Sequence, residues 1–457
     1  MLKKPVLRIS PFICCIFLFG VTAVLADETP SHDVALSLES FKKLPILDQG
    51  RTKPLETYAQ NVLLQFSGKR FYNRYSAVEW LARLLFSPET TYEDKIFLIN
   101  NPEVPLALGI TPDHKRRYSF SQLAKGYHKL GELATEAAQI EEKKRSIVES
   151  ELIRVYGNFI LHLDLTQSFQ FAFEHPDFEI TDPQTLEHLK LSKDRSHYSF
   201  LDIALKADLI RDMATSIQNK QPDALSTLEK DVVRLMSNLF QWSNHYAKMP
   251  FSIVAPFSSG DEKWLSPWEA FTTGFQNDSV RNEIIFLRDL TLAYRNGDQK
   301  AFSEAAEAFF NSASARAENK KCFKLLSLEL FYNKLKPFGY AQVFYYLALF
   351  VILFSFFKWQ TAFYRLAWGL VVLGFIPHFF AIVLRCIILS RPPVSNLYET
   401  FIFVGFIAVL MGILIELGSR KKLGILVSSL CGSILLLIAS KFSSDGDTMK
   451  IDRKSVV

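Results

Sequence analysis

The stretch LAWGLVVLGFIPHFFAIVLRCIIL, residues 366–389, holds one imidazole, His378, and one guanidinium, Arg385, in an otherwise uncharged run. An apolar helix needs about 20 residues at 1.5 Å each to cross roughly 30 Å of hydrocarbon, and this stretch has that length. Residues 338–357, 401–417 and 423–439 are similarly apolar, and the connections between them are short. Any one of them could equally be a buried helix of a soluble protein. Four in succession predict an α-helical membrane region of four spans over residues 337–440.

The connections carry a sign. The loop at Lys358 and Arg365 is basic, as is Arg420-Lys421-Lys422, whereas residues 391–399 hold one Arg and one Glu. Basic loops stay on the cytoplasmic side, which places residues 27–336 outside and leaves 441–457 as an outer-face tail, itself partly basic. At the start of the chain Lys3, Lys4 and Arg8 precede an apolar run, 11–24, then Leu25, Ala26, Asp27 and Glu28. That is the pattern of a secretory signal. Residues 1–26 are therefore either a signal peptide cleaved after Ala26 or a retained anchor, and both export the chain from residue 27 onward.

The 457 residues are 49% hydrophobic, with 40 Phe, but the average joins a mixed, charged N-terminal two-thirds to a very apolar end. A net charge of +5, with no basic patch interleaved with aromatics, excludes a nucleic-acid footprint. Cys14 and Cys15 lie in the signal, Cys386 and Cys431 in spans, and Cys322 alone in residues 27–336, so that region has no internal disulfide. The absence of CxxC argues against a thioredoxin-type centre and a covalent c-type haem on this chain. The chain lacks G-x-S-x-G, H-E-x-x-H and the phosphate-cradling G-x-x-x-x-G-K-[ST].

Residues 27–336 read as a mainly helical region. Leu130, Leu133, Ala137 and Ile140 recur at three- and four-residue steps within a helical pattern from 123 to 156. Helices are also expected over 200–219, 225–246, 280–294 and 301–317, the last two split by Asn296-Gly297-Asp298. Short extended pieces are expected at 44–47 and 251–256, and a loop at 258–261. His32, His114, His128, His162, His175, His188, His197 and His245 are scattered without metal-ligand spacing, and each reads as a surface or hydrogen-bonded side chain.

His378 differs, because an ionisable group near the middle of a span is costly. A neutral imidazole can ligate haem iron; it can equally hydrogen-bond a neighbouring helix, and residue type leaves both readings open. Arg385, two turns further toward the outer end, either snorkels to the interface or pairs with an acidic ligand group such as a haem propionate.

The string Arg391-Pro392-Pro393-Val394-Ser395-Asn396-Leu397-Tyr398-Glu399-Thr400 comes after that Arg, with Asn396, Tyr398 and Glu399 at the membrane surface. It resembles the R-x-P-x-S-N-x-Y-E-S stretch of CcsA/ResC-type cytochrome c biogenesis proteins, with Thr400 where Ser is usual. Residues 45–59, with Gly50-Arg51-Thr52-Lys53-Pro54-Leu55-Glu56-Thr57, resemble the opening of the exported domain in long members of that family. Glu329-Leu330-Phe331-Tyr332-Asn333 is a weaker third match, and Gly446-Asp447-Thr448-Met449 resembles the family's continuation after the fourth span. The resemblance implies system II cytochrome c maturation at the outer face of a bacterial cytoplasmic membrane. There haem is handled for attachment to the Cys-x-x-Cys-His motif of apocytochrome c, beside a ResB/CcsB-type partner. It implies haem contacts at His378, with the imidazole offered to iron, and at Arg385, Asn396, Tyr398 and Glu399.

The chain departs from that pattern where the family carries a Trp-rich outer loop. Trp80, Trp242, Trp264, Trp268, Trp359 and Trp368 form no W-G-x-x-W-x-W-D element, and residues 451–457 do not match. The expectation is a truncated or split chain, one part of a haem-attachment (cytochrome c synthetase) complex, whose complement supplies the second axial ligand. Two other classes compete: a membrane-anchored scaffold or sensor with a protein-binding region and no haem, and, more weakly, a transporter.

Overall fold

Two residues with positive φ, Gln49 (+52°) and Gly50 (+77°), reverse the chain between strands β1 (Pro45–Asp48) and β2 (Arg51–Pro54). Glycine takes this conformation without a Cβ penalty, and the antiparallel register sets Pro45 opposite Pro54 and Asp48 opposite Arg51. Side chains alternate along a strand, so Arg51 and Lys53 share one face of β2. Helix α1 (Leu55–Ser67) begins directly after Pro54.

The computed structural model describes residues 36–217, 220–221, 224–256, 263–316, 320–356, 360–392, 394–443 and 446–449. The expected signal or anchor, the loop at 258–261, residues 450–457, Cys14, Cys15, Lys358, Trp359 and the side chain of Cys322 lie outside the described residues. The fold is mainly helical, 69% helix against 7% strand, and the strands form two-stranded antiparallel ribbons. The extended piece expected at 44–47 is β1. That at 251–256 contributes only isolated bridges, Leu47 to Ser252 and Val254 to Leu265.

Caps set the helix boundaries. The pattern expected to run from 123 to 156 resolves into Phe120–Ala124, Tyr127–Gln139 and α2 (Ile147–Gln167). The last break occurs because Ser146 and Glu149 satisfy each other's backbone N–H groups in a reciprocal capping box. The 200–219 pattern divides into Phe200–Ala204 and Ala207–Ile217. Thr227–Tyr246 is continuous, and Asp278–Asn296 and Gln299–Arg316 form a pair turned at Gly297, φ +69°. One apolar core runs through all of these from Leu38 to Leu326. Trp80 and Trp268 are fully buried in it, Trp268 stacked on Tyr246 at 4.5 Å.

Helix α3 (Lys320–Leu335) passes through Lys336, φ +42°, into α4 (Pro337–Phe354). Pro337 occupies the first helical position, where its missing N–H is harmless. Helices α5 (Gln360–Leu389), α6 (Leu397–Ser419) and α7 (Leu423–Ser443) come next. Four helices are long and apolar enough to cross a membrane: Phe323–Phe354, Gln360–Leu389, Leu397–Ser419 and Leu423–Phe442. Helices α4 and α7 stand at the centre of the bundle, with α5 packed on α4 and α6 on α7. Glycine makes this packing possible. A Cβ on Gly374 of α5 would lie 2.8 Å from the Tyr345 ring of α4, and one on Gly432 of α7 would lie 2.7 Å from it.

At one end of the bundle the Glu416 carboxylate accepts from the Tyr364 hydroxyl (2.8 Å) and from the N–H groups of Lys422 and Gly424 (2.9 Å each). Lys422 Nζ donates to the Ser355 carbonyl at 3.0 Å. These bonds bring Ser355 at the end of α4, Tyr364 near the start of α5 and Lys422 before α7 together at the same end. Asn396 and residues 446–449 lie at the other end: Asn396 donates to Thr448, Asp447 meets Lys53 of β2, and Met449 packs with Tyr332 of α3.

Candidate functional site

The site assembles at the start of α6. Asn396 is extended (φ −142°), and its Oδ1 accepts the Glu399 N–H at 2.8 Å. Glu399 reaches back so that Oε2 accepts the Ser395 N–H at 3.0 Å. The three-residue spacing of Asn396 and Glu399 is thus the spacing of a helix cap. The other Glu399 oxygen receives Arg385 Nη2 from the end of α5, at 2.9 Å. Arg385 also donates to the Thr448 carbonyl (2.7 Å) and to its hydroxyl (3.4 Å), and its guanidinium lies 5.0 Å from the centre of the Tyr398 ring. Asn396 Nδ2 donates to the same Thr448 carbonyl at 3.1 Å, and Arg391 lies 3.7 Å from Glu399. Both members of the Arg385–Glu399 pair are buried, at 1% and 0% exposure. A buried pair is costly unless its remaining hydrogen-bonding positions are filled; here all but Arg385 Nε, which has no partner, are engaged.

A second layer lies beside it. Lys53 is fully buried, with Nζ 2.8 Å from Asp48 and 2.7 Å from Asp447. Arg51 makes a two-point contact with Glu329 (2.5 and 3.1 Å) and lies 4.0 Å from Asp447. Asn333 donates to the Thr57 hydroxyl at 2.9 Å. Burial raises the Asp447 pKa, but Lys53 and Arg51 outweigh it, and the group ends below the ordinary carboxylate value. Met449 fills an apolar pocket with Tyr332, Ala381, Leu384 and Ile388. Residues from 45–59, 329–333, 385–399 and 446–449 therefore meet in one polar cluster between the N-terminal region and the bundle.

Of the five residues that sequence singled out, Arg385, Asn396, Tyr398 and Glu399 come together. His378 does not join them, because the Phe338 ring stands between it and Tyr398, with centroids 5.6 and 6.4 Å away. His378 is fully buried; Nε2 faces the Ile402 carbonyl of α6 at 3.1 Å and Nδ1 faces the Tyr345 hydroxyl of α4 at 3.2 Å. A carbonyl only accepts, so Nε2 carries the proton and Nδ1 accepts from Tyr345. Iron needs a free ring lone pair, and both nitrogens are engaged. The residues around His378 do not fit a bound haem in this arrangement. Arg385, likewise, meets Glu399 and Thr448 within the chain.

Arg51, Lys53, Glu329, Asp447 and Thr448 lie in the motif stretches, but sequence alone gives none of them a role. Their one local signal is the two-residue spacing of Arg51 and Lys53 on a strand face. His162 corrects an expectation: it is neither surface-exposed nor hydrogen-bonded. It stacks on Phe120 at 4.8 Å, with Phe97 at 5.4 Å, and burial pushes its pKa down to about 3. Among the described residues no three His, Cys, Asp or Glu side chains gather to hold a metal ion. No protein-family model matches this chain, and no curated protein matches it.

Proposed function

We propose that this protein serves cytochrome c maturation, as a membrane component of the assembly that handles haem for attachment to apocytochrome c. The observation that supports the reading is the convergence in space of residues from the stretches that carry the family resemblance: Arg51, Lys53, Glu329, Arg385, Asn396, Glu399, Asp447 and Thr448. In this reading the N-terminal region faces the outside of a bacterial cytoplasmic membrane. The basic connections at the opposite end of the bundle support that side. The partners in this reading are a ResB/CcsB-type membrane protein and apocytochrome c. This chain's own residues fix the outer ends of α5 and α6 and the position of the N-terminal region above them.

The test is Arg385→Met in the full chain assembled with its membrane partner, with cytochrome c yield measured. The expected result is loss of yield; an unchanged yield would separate the converging residues from cytochrome c maturation. A periplasmic reporter fused near residue 330 should be active, and activity of a cytoplasm-only reporter there would reverse the orientation. A second reading, a membrane-anchored scaffold or sensor without haem, is favoured by the engagement of both His378 ring nitrogens within the bundle. It predicts no haem absorbance in the purified complex.

A further inference from the structure

The four residues 446–449 touch both halves of the molecule at once. Asp447 binds the buried Lys53 of β2 at 2.7 Å, and its Oδ1 accepts the Met449 N–H at 2.9 Å, which holds the segment in a tight turn. The Thr448 carbonyl accepts from Arg385 of α5 and from Asn396 at the start of α6. Met449 is 4% exposed and packs against Tyr332 of α3 and Ala381, Leu384 and Ile388 of α5. One short segment thus makes an ion pair to the hairpin, two hydrogen bonds to the bundle and an apolar contact to the helix that joins them.

Arg51, Lys53, Arg385 and Arg391 face Asp48, Glu329, Glu399 and Asp447, and Arg70 also acts on Tyr398. A network of buried, mutually paired charges is well suited to fixing one arrangement of the parts that contribute to it. Removing the segment would leave Lys53 with Asp48 as its one ion-pair partner and Arg385 with Glu399, Tyr332 and the Tyr398 ring, in buried surroundings where an under-paired charge is costly. The two halves are therefore linked through the segment's occupancy.

We propose that residues 446–449 are a clasp that couples the β1–β2 hairpin to the adjoining ends of α5 and α6, so that the hairpin and those helix ends open together. The clasp does not depend on haem and stands apart from the proposed role in cytochrome c maturation.

The test is hydrogen exchange on the full chain in lipid nanodiscs. In Asp447→Asn, amides of the hairpin (45–54) and of 384–399 should both exchange roughly tenfold faster, while amides of α2 stay unchanged. Faster exchange in only one of the two segments, or in neither, overturns the coupling. If α2 also exchanges faster, the single variant has lost its fold, and Lys53→Met/Asp447→Leu decides. That double variant removes both members of the buried pair and leaves only Asp48, which reaches solvent, so it should exchange more slowly than Asp447→Asn in both segments. Exchange as fast as in the single variant would show that Lys53 and Asp447 act independently, and the clasp would fail.

Discussion

His162 makes the N-terminal core sensitive to acid in a way that can be calculated. The ring is fully buried on α2, neither nitrogen has a hydrogen-bond partner, and the rings around it are Phe66, Phe97 and Phe120. No charged group on the packed elements offsets the cost, and desolvation alone lowers the pKa from 6.5 to about 3. The folded protein therefore refuses a proton that the unfolded chain accepts near pH 6.5. A depressed folded pKa contributes stability that is complete above pH 6.5 and is lost as pH falls from there toward 3. The linkage amounts to roughly 2 kcal/mol at pH 5 and to about 5 kcal/mol over the whole interval. His162→Leu keeps an apolar side chain in the box and cannot titrate. Denaturant unfolding of both full-length proteins in detergent, monitored by tryptophan fluorescence, separates this effect from carboxylates common to both. The stability of the native protein relative to the variant should fall by roughly 2 kcal/mol between pH 8 and pH 5. A difference independent of pH would refute this linkage and show that His162 finds a partner or water when the core breathes.

Glu399→Gln should destabilise the bundle by roughly 3–5 kcal/mol, because it strands Arg385 in a buried site, whereas Arg385→Met/Glu399→Leu should recover most of that loss; thermal unfolding in detergent reads both. Gly432→Ala should cost about 1–3 kcal/mol by driving a methyl group into the Tyr345 ring, while Gly369→Ala, which meets nothing within 4 Å, should be silent. Tyr345→Phe removes the donor to His378 Nδ1 and should cost about 1 kcal/mol in the native background and close to nothing beside His378→Leu. Equal costs in the two backgrounds would break the assigned Tyr345–His378 bond, and new haem absorbance in Tyr345→Phe would mark His378 as a ligand held in reserve.

The spans were legible because hydropathy over a window of bilayer length is a local property, and the errors lie at their ends. Helix α5 starts at Gln360 rather than 366: Gln360 to Arg365 continue the helix, and the Tyr364 hydroxyl meets Glu416. Helix α6 starts at Leu397 rather than 401 because Asn396 and Glu399 cap it, so part of the expected loop is helix. The mainly helical character of the N-terminal region was equally readable from three- and four-residue periodicity, but the Ser146–Glu149 cap divided a pattern that periodicity alone ran together. The site was only half legible. The Arg385–Glu399 pair joins neighbouring helices across a short loop, whereas Lys53 and Asp447 are 394 residues apart in sequence. Nothing local to either residue announces the other, and the burial of Lys53 exists only once β2, α3 and the segment 446–449 have met.

That half-legibility bears on what the motif residues can do. Asn396 spends its oxygen on the Glu399 N–H and its amide on Thr448, and Glu399 spends its two oxygens on Ser395 and Arg385. Arg385 divides its terminal nitrogens between Glu399 and Thr448. Groups so committed can bind a ligand only by exchanging one of these bonds for another. The motif in this state builds the end of the bundle that meets residues 446–449, and of the Arg385 nitrogens only Nε is without a partner.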